Sequence, residues 1–123
     1  MNLDEINQVT EKIIGCAFKV SNTLGAGFLE KVYENALTLE LRKAGLLVEQ
    51  QKPIEVYYEG VVVGNYAADL LVEEEIIVEL KAVKALDEIT QAQLLNYLKA
   101  TNLKVGLILN FGAPKLGIKR MIR

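Results

Sequence analysis

The apolar pattern of this chain changes period at Gly45, and that change asks for helices first and a sheet afterwards. Before it, Leu3, Ile6, Val9, Ile13, Ala17 and Val20 recur at helical spacing and predict a helix over residues 3–22. Leu24-Gly25-Ala26-Gly27 breaks that pattern. A second helix over about 28–44 follows, with Leu29, Val32, Tyr33, Ala36, Leu37 and Leu41 on its apolar stripe and Gly45 as its stop. Residues 46–58 read as one or two strands interrupted near Pro53, which suits an edge or a bulge. Tyr58-Glu59-Gly60-Val61 is a turn, and Val61–Val72 is the next strand. Glu73-Glu74-Glu75 is a polar tip, and an almost continuously apolar strand returns over 76–83. Asp87 caps a third helix to about Ala100, Val105–Asn110 is a strand buried on both faces, and a short segment over 118–122 closes the chain. The order ααβββαββ predicts an α/β fold, a mixed sheet with helices packed against it.

With 123 residues, one domain over 1–123 is expected, large enough for a real core. No apolar run approaches the ~18 residues of a membrane span, and the acidic N-terminus does not read as a signal peptide. A lone cysteine, Cys16, fits a reducing, cytoplasmic setting. Histidine is absent, which excludes histidine-bound zinc, serine–histidine triads and cysteine–histidine dyads. Carboxylates, lysine and a hard cation are left to carry any chemistry. Charge is uneven: residues 1–80 hold 6 Lys/Arg against 14 Asp/Glu, whereas residues 81–123 hold 8 against 2. Lys119, Arg120 and Arg123, with Lys99, Lys104 and Lys115, are therefore candidates for a phosphate-facing rim. The plainer alternative is a solvated basic surface.

Centring a hairpin on Glu74 pairs Val72 with Ile76 and Asp69 with Glu79. Directly opposed residues have Cβ atoms roughly 4.5–5.5 Å apart on one face, and alternation puts Lys81 on the face of Glu79. Two like charges across a strand pair, beside Ile77, Val78 and Leu80, are costly unless a cation neutralises them. Mg²⁺ typically takes one or two carboxylates and keeps waters and substrate phosphate. The expected site is thus Asp69 and Glu79, with the backbone carbonyl of Leu80 as a further oxygen and Mn²⁺ as the alternative ion. Lys81 is placed to orient a water and to stabilise charge building on phosphoryl oxygens. The bland alternative for Glu79-x-Lys81 is a structural salt bridge.

Asp69 followed by Glu79-Leu80-Lys81 resembles the core of the PD-(D/E)xK nuclease superfamily. Gly27-Phe28-Leu29-Glu30-Lys31-Val32-Tyr33 reads G-x-x-E-x-x-Y. With Ala68-Asp69-Leu70, Val78-Glu79-Leu80-Lys81, Ala92-Gln93-Leu94-Leu95-Asn96-Tyr97 and Asn110-Phe111-Gly112, the chain resembles the GxxExxY family over about residues 5–123. That resemblance implies a restriction-endonuclease-like central sheet flanked by helices, cleaving phosphodiester bonds in nucleic acid, DNA first, with Mg²⁺. It implies Glu30 as a third acid and metal ligand. If Gly27 is the N-cap, Glu30 also favours the helix dipole. Tyr33, one turn on, either reaches the site or is a core tyrosine. Gln93 and Tyr97 resemble the Q-x-x-x-Y motif of the exonuclease-like branch, with Gln91 competing for the glutamine position. Ala67 and Thr90 stand where many members carry a basic residue and a histidine. Two other classes remain open: a non-cleaving nucleic-acid-binding module, and an assembly subunit acting as a homodimer.

Overall fold

The computed structural model describes residues 1–123. Its first helix, α1 (Leu3–Leu24), begins with a reciprocal cap. The Glu5 N–H donates to Asn2 Oδ1 at 2.8 Å, and the Asn2 N–H donates to Glu5 Oε1 at 3.2 Å. Ile6, Val9, Thr10, Ile13, Ala17 and Val20 form its buried stripe. Helix α2 (Glu30–Lys43) starts two residues later than expected. Its N-cap is Leu29, not Gly27, and no side chain caps it. Gly45, at φ +85°, turns the chain out of α2, and the Leu46 N–H closes back on the Leu41 carbonyl at 3.1 Å.

The sheet holds β1 (Val48–Tyr58), β2 (Val61–Val72), β3 (Ile76–Lys81), β4 (Val105–Asn110) and β5 (Gly117–Ile122) in sequential order. Only β3 and β4 are parallel, and α3 (Glu88–Thr101) makes the crossover between them. Asp87 caps α3 by accepting the Thr90 N–H at 2.9 Å. This is the α/β, restriction-endonuclease-like arrangement of a mixed sheet between helices.

Helices α1 and α2 cover one face with the larger core, where Ile13, Tyr33, Leu37 and Leu41 meet Leu70, Val78, Leu80 and Leu107. Each fully buried side chain of this kind contributes about 1.5–3 kcal/mol. The other face has α3 alone: Leu94, Tyr97 and Leu98 pack on Ile54, Ala68, Leu71, Ile77 and Ile108. One helix cannot cover the long β1–β2 hairpin, so the outer part of that hairpin is left projecting.

The expected break near Pro53 is absent, since β1 is one edge strand on which proline forfeits no needed donor. One irregularity lies two residues earlier, at Gln51, whose φ is +51°, and a second lies further out, where the register shifts between Val56 and Tyr57. Undisturbed strands send same-parity residues to the same face. Here Val48 joins the large core but Ile54 joins the α3 core; across the ladder, Leu70 and Ala68 divide in the same way. Both strands therefore switch faces at the level of Gln51 and Asp69.

Candidate functional site

Strand β3 is the most deeply buried of the hairpin strands, with only Lys81 at its end half-exposed. The observed register is Val72↔Ile76, Leu71↔Ile77 and Leu70↔Val78, as the Glu74-centred hairpin requires. The ladder then stops. At the next level Asp69 and Glu79 exchange side-chain bonds for backbone ones. Asp69 Oδ2 accepts the Leu80 N–H at 2.8 Å, and Glu79 Oε1 accepts the Asp69 N–H at 3.3 Å. The two carboxylates thus occupy the gap where β2 and β3 part. N–H and C=O of one strand residue point to the same edge, so the Leu80 carbonyl faces this gap as well.

Glu79 is 7% exposed. Burial, and then the charge and side-chain hydrogen bonding of Asp69, push its carboxyl up to about 9, against the opposing pull of the Asp69 N–H and then of Lys81. A buried acid pressed against another acid is a donor set short of positive charge, and a hard dication supplies it. The residues present therefore fit Mg²⁺, which needs only one or two carboxylates and keeps the rest of its shell. Lys81 forms no ion pair, which removes the salt-bridge alternative.

Lys81 is held from behind. The Phe111 N–H donates to its carbonyl at 2.8 Å. Asn110, buried on β4, accepts the Val83 and Gly112 N–H groups at 3.1 and 3.0 Å and donates to the Val83 carbonyl at 2.9 Å. A Cβ on Gly112 would lie 2.2 Å from the Val83 nitrogen, so no other residue fits there. Asn110-Phe111-Gly112 is a clamp on the end of β3.

Glu30 does not stand beside Asp69 and Glu79. It is exposed in the first turn of α2, and no three acidic side chains gather as a metal cage. Because α2 begins only at Glu30, the acid that reaches the sheet is Glu34, one turn further and 4% exposed. Its Oε1 accepts from Gln51 Nε2 at 2.7 Å, and that amide also donates to Asp69 Oδ1 at 3.2 Å. Glu34 Oε2 accepts from Gln50 and from Lys31, each at 2.8 Å. A hydrogen-bonded chain from the buried Glu34 through Gln51 to Asp69 thus orients one carboxylate of the pair. Sequence reading missed both partners. The available signal was an acid on the stripe of Tyr33, Leu37 and Leu41, since a buried carboxylate must be partnered.

Tyr33 takes the core role. Fully buried, it donates to the Gly25 carbonyl at 2.5 Å, accepts the Phe28 N–H at 3.2 Å and stacks on Phe111 at 4.7 Å. Tyr97 lies nearer the acids: burial, and then the charge of Glu79, raise its hydroxyl, with smaller contributions from Tyr66 and Asp69. Gln93 is exposed and lines a cleft with Tyr97, whereas Gln91 is half-buried and does not.

The expected basic rim does not form one face. Strand alternation puts Lys119 opposite Ile108 of the α3 core and Arg120 opposite Leu107 of the other. Arg120 bonds Asn7 of α1, and Arg123 bonds Asn102 at 2.7 Å and the Leu103 carbonyl at 2.9 Å. Both arginines are ties between elements, whereas Lys119, like Lys99, Lys104 and Lys115, is exposed and makes no ion pair.

A family model described as the PD-(D/E)XK nuclease superfamily matches residues 7–121. No curated protein matches. The crystal structure of SSO0001 superposes with a TM-score of 0.57 at 16% identity, over 76% of this chain and 49% of that one. The chain thus spans about half the length of that structure, and at this identity the likeness concerns the fold. No helix is long and apolar enough to cross a membrane.

Proposed function

Because this chain belongs to the PD-(D/E)XK nuclease superfamily, we propose that it is a metal-dependent nuclease hydrolysing phosphodiester bonds, with DNA as its polymer. The observation that carries this reading is the opened end of the β2–β3 ladder, where two carboxylates and an unpaired lysine converge. Asp69, Glu79 and the Leu80 carbonyl would hold Mg²⁺ or Mn²⁺. Bound there, the ion supplies Lewis-acid polarisation of the phosphoryl oxygens and a lowered pKa for the attacking water.

The chain's own residues do the rest. Asp69 is oriented by Gln51 on one oxygen and by the Leu80 N–H on the other. Glu79 releases its proton as a cation arrives, because the neutral form is favoured only without one. Lys81, clamped through its carbonyl, presents an ammonium to the phosphate oxygens and to the water, where negative charge develops. Tyr97 closes the site on the α3 side.

Lys81→Ala tests this. The variant is expected to fold, to keep its Mg²⁺-induced rise in melting temperature and to bind nucleic acid within a few-fold of wild type. Cleavage is expected to fall by about 10²–10³. Assays on labelled linear, circular and branched substrates in Mg²⁺ or Mn²⁺ read the result. If wild type cuts none of them and Lys81→Ala loses binding outright, Lys81 is a docking residue and the chain is a non-cleaving nucleic-acid-binding module.

A further inference from the structure

We propose that the cleft between α3 and the outer half of the β1–β2 hairpin receives unpaired nucleobases, so that the substrate is single-stranded nucleic acid or a single-stranded end. This rests on the nuclease reading above and names the substrate class of that site.

The cleft encloses about 800 Å³ and is walled by Tyr57 and Tyr66 on the hairpin and Tyr97 on α3. That volume lies within the ~300–1,000 Å³ of typical small-ligand sites. Tyr57 and Tyr66 are 61% and 50% exposed, which spends large rings on solvent in the free protein. The Tyr66 and Tyr97 rings lie 5.6 Å apart and tilted by 48°, so they do not occupy each other's faces fully. Gly64 leaves the hairpin floor bare beneath Tyr66; a Cβ there would come within 3.3 Å of that ring. Exposed amides of Gln93 and Asn96 line the same space. Flat aromatic faces beside amide donors and acceptors suit heterocycles with hydrogen-bonding edges.

Charge selects bases over backbone. The ionisable lining is Glu55 and Lys99 together with the tyrosines, so there is no cationic field to hold phosphates. In a duplex the base faces are stacked inside, and only an unpaired strand can offer them. Continuity with the proposed site comes through Tyr97, which lines the cleft and packs in one cluster with Ala68 and Ile77, one residue before Asp69 and two before Glu79. A strand with a base in the cleft therefore has its backbone led toward the carboxylate pair.

The test measures binding by fluorescence anisotropy in Ca²⁺, using a short fluorescein-labelled oligothymidine and a blunt hairpin duplex. Cleavage of both is measured separately in Mg²⁺. Wild type is expected to prefer the oligothymidine. Tyr57→Ala is expected to weaken that binding by about ten-fold, the loss of one stacked base, while leaving duplex binding unchanged and Tyr57→Phe near wild type. Asn96→Ala provides a second variant outside the proposed catalytic set. If both alanine variants fold and leave oligothymidine affinity unchanged, the cleft does not hold bases, whether or not wild type cuts. If Tyr57-dependent binding appears but nothing is cut, the cleft stands and the nuclease reading falls. A concentration-dependent dimer that Tyr57→Ala dissolves, without any change in oligothymidine affinity, would assign the cleft to a second copy and overturn the proposal.

Discussion

Glu79 is where the fold carries its largest electrostatic cost. Its carboxyl is pushed up to about 9 in the folded chain, against an ordinary value of 4.5. Between those values the unfolded chain gives up a proton that the folded chain keeps, so metal-free stability falls as pH rises through that window. Glu79→Gln is expected to flatten this decline and to make the metal-free protein more stable than wild type at about pH 8.5, the gap closing toward about pH 5. The same variant should lose the Mg²⁺-induced rise in melting temperature. Urea titrations at the two pH values, with and without Mg²⁺, check both expectations. A wild-type curve that rises with pH would mean that Glu79 is solvated rather than pressed against Asp69. Asp69 and Glu79 were legible because an acidic tip fixes the hairpin centre and pairing fixes the rest. Gln51 was not: nothing in its residue type announces a left-handed backbone or a shared hydrogen bond.

Among the elements, α2 shows how an offset of two residues changes which acid matters. A Gly27 cap would have put Glu30 deeper in the helix; the observed start leaves it in solvent and lays Glu34 against β1. Groups that hold metal ligands in place typically contribute 10–100-fold to affinity or activity. Glu34→Gln is accordingly expected to weaken Mg²⁺ binding by about ten-fold or more and to destabilise the fold by roughly 1–3 kcal/mol, because a buried amide nitrogen would replace an oxygen that now accepts hydrogen bonds. Glu30→Gln should change neither by a measurable amount. Isothermal titration with Mg²⁺ and chemical denaturation separate the two, and an equal effect from Glu30→Gln would restore that residue to the site. The order of the elements and most of their bounds were legible, since Val61–Val72 and Val105–Asn110 follow from apolar pattern alone. Helix starts without a side-chain cap, such as the one at Leu29, leave no such mark.

Across the whole molecule, the two faces of the sheet are unequally covered, and the cleft opens on the poorer one. Tyr97 and the cleft lie where α3 covers less than the hairpin offers. The exposed Tyr57, Tyr58 and Tyr66 were visible in the sequence as strand residues, but their solvent exposure depends on how far along the hairpin the α3 core reaches, which is only to Ile54 and Ala68. The hairpin also divides, at about Tyr57 and Val63, into an outer and an inner part that differ in how readily they open. Residues 57–63 are exposed throughout, whereas Leu70, Leu71, Val72 and 76–80 are buried without exception. Opening the outer half uncovers almost no apolar surface, and opening the inner half uncovers both cores. Amide hydrogens of residues 57–63 are therefore expected to exchange with solvent deuterium well before those of β3, even though all belong to one continuous sheet. The arm that walls the cleft is thus expected to loosen while Asp69 and Glu79 stay in register.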